Sequence, residues 1–127
     1  MALVKLEKRQ WHGYFDRLSK GLVGKQAEIE VASLALGAQV EAEWLPLLGI
    51  VYEPRTDIVE IALEGLDHMI RRPREIYADE EGISLTSLEI VDGGDMRHIV
   101  RLREPLLLPP PSQPALSKGS PREQTKR

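Results

Sequence analysis

The sequence predicts a mainly-β domain, α+β at the margin, in which an N-terminal helix precedes about six antiparallel strands forming a small barrel or strongly curved sheet. Three observations carry that expectation. A helical apolar stripe occupies the first two dozen residues and then stops. Beyond Gly24 the apolar period changes from 3.6 to 2. The extended runs that follow are joined by turn-length connections, with no second helix able to serve as a βαβ crossover, so neighbouring strands pair antiparallel.

The stripe consists of Trp11, Tyr14, Phe15, Leu18 and Leu22, with Arg9, His12, Asp16, Arg17 and Lys20 off it. It predicts a helix over roughly 8–20, capped by Gly21 and packed on an open end or face of the sheet. Ala27, Ile29 and Val31 alternate with Gln26, Glu28 and Glu30, and Ala38, Val40, Ala42 and Trp44 alternate with Gln39, Glu41 and Glu43. Pro46 and Gly49 bend or split the second run before Ile50-Val51-Tyr52. Glu53–Asp57 is a turn by composition, and Ile58–Leu63 is a β-branched strand that Gly65 ends.

Leu66–Pro73 has no clean period and reads as a short strand or a loop, whereas Glu75–Asp79 is extended. The apolar register slips between Leu85 and Leu88, which a bulge near Thr86-Ser87 reconciles. Asp92-Gly93-Gly94-Asp95 is the strongest hairpin signal, its glycines suited to the positive φ of a tight turn. On the return strand Met96, His98, Val100 and Leu102 share one face, Arg97, Ile99, Arg101 and Arg103 the other, and Pro105 closes the body.

Five of the nine prolines fall after residue 108, among Ser, Gln, Lys and Arg. Residues 1–108 are therefore expected to form one helix-plus-β domain, and 109–127 a disordered tail that buries too little to order itself. Four basic residues against Glu123 leave that tail at +3, so the overall −3 hides −6 on the body. Pro111-Ser-Gln-Pro114 fits a loose P-x-x-P pattern, but that pattern is common by chance and the tail reads first as a solubilising terminus. No apolar run approaches the roughly 20 residues of a membrane span, and the N-terminus lacks the apolar core of a secretory signal, so a cytoplasmic bacterial protein is expected.

The absence of cysteine excludes a disulfide scaffold, a thiolate metal site and a Cys nucleophile. No Gly-x-Ser-x-Gly elbow or phosphate-binding loop is present, and His12, His68 and His98 lack metal-ligand spacing. Neither a cofactor nor a metal is expected. His98, on an apolar face, reads as a core histidine with a hydrogen-bond partner. His68 stands beside Asp67, but neighbours on a strand point to opposite faces, so their adjacency makes no dyad. Arg71, Arg72 and Arg74 cluster around Pro73, and Arg97, Arg101 and Arg103 share one strand. Together they either form a basic patch for phosphate or carboxylate, or pair across strands with glutamates such as Glu60, Glu75 and Glu89.

Several pieces in fixed order resemble a family of short bacterial proteins of unknown function. They are Trp11-x2-Tyr14-Phe15-x2-Leu18-Ser19, Ile29 and Val31, Leu36-Gly37-x-Gln39, Trp44-Leu45-Pro46-Leu47-x-Gly49-Ile50-x-Tyr52, His68-x-Ile70-x2-Pro73-x2-Ile76 and Leu88-x-Ile90-x-Asp92-Gly93. The resemblance covers about residues 9–103. It implies a small cytoplasmic protein with no known activity and draws notice to His68 and Pro73.

Three functions remain in view. The expected one is a non-catalytic binding or interaction module, whose partner is another protein or a second copy. Another is a nucleic-acid or phosphate-ligand binder using the six arginines, although a body at −6 repels polyanions. The third is a small enzyme with a site near His68.

Overall fold

The computed structural model describes residues 2–108; the expected tail, 109–127, lies outside them. The order is β1 (Ala2–Leu6), α1 (Lys8–Leu22), β2 (Gln26–Ser33), β3 (Gly37–Glu53), β4 (Ile58–Leu63), β5 (Leu66–Arg71), β6 (Pro73–Glu81), β7 (Ser84–Asp92) and β8 (Arg97–Leu107). Among the described residues all pairings are antiparallel, and the eight strands lie in the order β1-β6-β7-β8-β2-β3-β4-β5. The chain is thus mainly β with one N-terminal helix, as predicted. The sheet does not close into a barrel: β1 and β5 are its two edges.

Two of the eight strands lie outside the expected six. The first, β1, pairs with β6 from Ala2↔Glu80 to Leu6↔Ile76 and carries too short an alternation to register alone. The other, β5, resolves the ambiguous Leu66–Arg71 segment as an edge strand beside β4. Its aperiodic pattern follows from that place. Only Ile70 is fully buried, while Asp67, Met69 and Arg71 are exposed.

The helix buries the five residues of its predicted stripe, and Trp11 meets Tyr52 edge-on with ring centroids 5.2 Å apart. Gln10 Oε1 accepts from the Glu7 N–H at 2.9 Å, closing the first turn. At the other end the helix runs through Gly21 to Leu22, and it is Gly24, at φ 88°, that turns the chain into β2.

β3 pairs with β2 along its first half and with β4 along its second, bending between them at Trp44 (φ 53°) and at the register shift between Leu47 and Gly49. It bends, as Pro46 and Gly49 predict, without splitting. Where β3 has left β2, α1 takes the vacated side: Ser19 Oγ accepts from the Ile50 N–H at 3.0 Å and donates to the Ile50 carbonyl at 2.8 Å. One hydroxyl thus satisfies two groups that would otherwise be an unpaired sheet edge.

The predicted bulge falls at Thr86, skipped both by β6, where Asp79↔Ser87 is followed by Glu80↔Leu85, and by β8, where Ser87↔Arg101 gives way to Leu85↔Leu106. β8 continues past Pro105, which was expected to close the body. Pro105 is exposed in the stretch where β8 leaves β7, so its missing N–H breaks no bond to that neighbour. The β7–β8 turn also differs from expectation. Its left-handed residue is Asp95 (φ 65°), and neither Gly93 nor Gly94 has positive φ. Asp95 N–H bonds the Asp92 carbonyl at 3.0 Å, a tight turn completed by one left-handed residue. Gly93 matters for space, since a Cβ there would sit 3.4 Å from the Arg72 backbone oxygen.

Candidate functional site

The core side of the sheet carries a row Leu6–Ile76–Ile90–His98–Val31–Gln39, read across β1, β6, β7, β8, β2 and β3 from directly paired residues. Burial fades along it. Ile76 and Ile90 are fully enclosed, His98 is 7% exposed, Val31 is partly open and Gln39 is exposed. His98 is the only buried polar or charged residue of the core, among the described residues, and must therefore be partnered.

Its two ring nitrogens are both used. Nε2 lies 2.9 Å from Asp92 Oδ2, and Nδ1 lies 2.9 Å from Nε2 of His68. The other Asp92 oxygen, Oδ1, accepts from the Gly94 N–H at 2.8 Å and the Met96 N–H at 3.1 Å, so the carboxylate also shapes the turn. Burial pushes the Asp92 carboxyl up, but the His98 bond and these two N–H donors outweigh it and hold it below the ordinary value. An ionised Asp92 fixes the proton of His98 on Nε2 and leaves Nδ1 to accept from His68. Burial, then the proximity of His98, lowers the pKa of His68, while Glu41 acts in the opposite sense. No described residue bonds His68 Nδ1.

Asp67, the sequence neighbour of His68, takes no part in this chain and is exposed. The carboxylate that does join lies 24 positions further on. It comes within reach because Arg72 (φ 52°) turns β5 directly into β6, whose Pro73 pairs with Asp92. The His98–apolar alternation and the Asp92 turn were both visible in the sequence, but nothing in it marked His68 as their third member.

The arginines are dispersed. Arg74 bonds Asp95 at 2.6 Å, Arg97 pairs with Glu89, and Arg101 reaches Glu30 at 2.7 Å and Glu28 at 3.1 Å. Arg103 bonds Gln26 at 3.1 Å and lies 5.6 Å from the centre of the Trp44 ring. Arg71 and Arg72 are exposed and make no ion pair among the described residues. Arg74 and Arg97 do share a groove of about 660 Å³ on the outer face, with Ala32, Leu34, Val91 and Asp95 among its walls.

Beside that groove the β2–β3 hairpin ends in Leu34-Ala35-Leu36. Leu34 is fully exposed, Leu36 70% and Val40 56%. The ten residues Val31–Val40 contain no charge. This tip escaped the sequence reading, although the uncharged run was there to be seen. Among the described residues no group of three or more His, Asp or Glu is placed to hold a metal ion, and no helix is long and apolar enough to cross a membrane.

Residues 2–111 match the model of a family of unknown function, DUF5335. The chain belongs to this family. Across 110 residues it is 43% identical to an uncharacterized protein of Aquifex aeolicus (strain VF5), covering 86% of this chain and 99% of that protein. No solved structure matches it. In this DUF5335 chain, His68-x-Ile70-x2-Pro73 and Asp92-Gly93, the two segments of the resemblance that hold polar side chains near the turn, meet at the β5–β6 corner.

Proposed function

We propose that the chain is a non-catalytic interaction module that associates with a second copy of itself through the tip of the β2–β3 hairpin. The observation that carries this reading is the exposure of Leu34, Leu36 and Val40 within a run free of charge. Hairpin turns ordinarily use Gly, Asn, Asp or Ser, which tolerate water and turn geometry. Leucines there gain nothing from the fold, whereas burying each against a partner is worth about 1.5–3 kcal/mol. A second copy suits the tip because two-fold contact brings the same uncharged surface to itself, so the acidic bodies meet without like charges at the junction.

The arginine reading needs convergent, unpaired guanidinium groups, and four of the six are already engaged by Asp, Glu or Gln. The catalytic reading needs a concave pocket that holds His68 together with a carboxylate, and the groove of about 660 Å³ is lined by neither His68 nor His98. Size-exclusion chromatography with light scattering tests the proposal. The wild type is expected to be dimeric, and Leu34→Glu/Leu36→Glu monomeric with an unchanged circular dichroism spectrum. A wild type that stays monomeric at its highest soluble concentration would sink the idea.

A further inference from the structure

We propose that Asp92, His98 and His68 form a proton-controlled clasp that holds edge strand β5 against β8 and opens when both imidazoles are protonated. The inference is independent of self-association. It rests on the two 2.9 Å contacts and on the place of β5, which is hydrogen-bonded to a neighbour, β4, along one side only.

Counting protons along the chain shows why it switches. With Asp92 ionised, His98 Nε2–H donates to the carboxylate and His68 Nε2–H donates to His98 Nδ1. One further proton enters at His68 Nδ1 and leaves both bonds intact, the second now charge-assisted. Another has only His98 Nδ1 to occupy. Two N–H groups then face each other across 2.9 Å, and two imidazolium charges replace one hydrogen bond. The pair is therefore compatible with at most one positive charge.

The surroundings supply few competing charges. Glu41 of β3 is felt by His68 and favours the first proton. Ile61 of β4, Ile90 of β7 and Val31 of β2, paired opposite the two histidines, are apolar and solvate neither. On β5 itself Asp67 and Arg71 are exposed, and on β8 Arg97 is paired with Glu89 on the other face. A doubly protonated pair relaxes by separating the two rings, and β5, paired with β4 alone, has fewer strand bonds to give up than β8, which is paired with both β7 and β2.

Amide hydrogen exchange on the full chain tests this, read as protection factors so that the intrinsic pH dependence cancels. Between about pH 7.5 and about pH 5, protection of the β5 amides should fall relative to those of β6 and β7, by about tenfold for each pKa unit separating closed and open forms. In His68→Gln, whose side-chain amide still donates to His98 Nδ1 but takes up no proton, β5 protection should stay level. Level protection in the wild type, or an equal fall in His68→Gln, overturns the proposal. Should the variant not fold, wild-type imidazole 15N spectra decide the matter. His68 and His98 are expected as Nε2–H tautomers near pH 7.5, with protonation of His98 Nδ1 tracking the loss of β5 protection. A neutral His98 carrying its proton on Nδ1 near pH 7.5 contradicts it.

Discussion

His68 Nε2 lies 2.9 Å from His98 Nδ1, although β2, β3 and β4 stand between their strands in the sheet. Four inter-strand steps across a flat sheet would separate β5 from β8 by about 19 Å. The sheet therefore curls until its edge strand returns over its middle, and the histidine pair marks where the two meet.

Asp92→Asn tests the carboxylate that anchors the pair. The amide oxygen can still accept from Gly94 and Met96, but its NH2 then faces His98 Nε2–H. Relief requires His98 to move its proton to Nδ1 and His68 to move its own to the unbonded Nδ1, so that the chain reverses and only the charge-assisted bond to the carboxylate is lost. A loss of about 1 kcal/mol in urea unfolding near neutral pH is expected, the difference between a charge-assisted and a neutral hydrogen bond, with His98 observed as the Nδ1–H tautomer.

Acid should destabilise the protein in two stages. The folded pKa of His68 lies below its unfolded value of 6.5, so the unfolded chain takes the proton first as pH falls. This contribution is complete above about pH 6.5 and is lost as pH drops through the interval down to the folded value. Asp92, lowered from 3.8, contributes stability above that value and loses it in more acid solution. Urea midpoints measured from neutral pH downward should show the first decline, and His68→Gln should flatten it.

Ser19→Ala removes the hydroxyl that serves both backbone groups of Ile50. The two bonds where α1 replaces a strand are lost together, with an expected cost of about 1–3 kcal/mol. Faster exchange of the Ile50 amide would distinguish this from a general loosening of the helix.

Leucine position matters more than leucine identity. Leu18→Ala, in the core, should cost about 2–5 kcal/mol in chemical denaturation. Leu34→Ser, at the exposed tip, should change monomer stability by no more than about 0.5 kcal/mol. A large loss at Leu34 would show that the tip packs within its own chain.

Local physics was legible in the amino-acid sequence. The stripe Trp11–Leu22 specified the helix, because five apolar side chains at helical spacing have one face to bury. Alternation marked β2 and β3, β-branched composition marked β4, the slipped register marked Thr86, and the Asp92–Asp95 turn marked the last hairpin. Edge strands β1 and β5 were less legible, since an edge has fewer neighbours and imposes a weaker pattern. The candidate site was the least legible part. Whether His98 met backbone, carboxylate or another imidazole depended on how far the sheet curls, and that is set by the bend of β3 at Trp44, the register shift before Gly49 and the one-residue corner at Arg72. Periodicity records which face of a strand is buried. Only the tertiary structure decides which distant strand that face will meet.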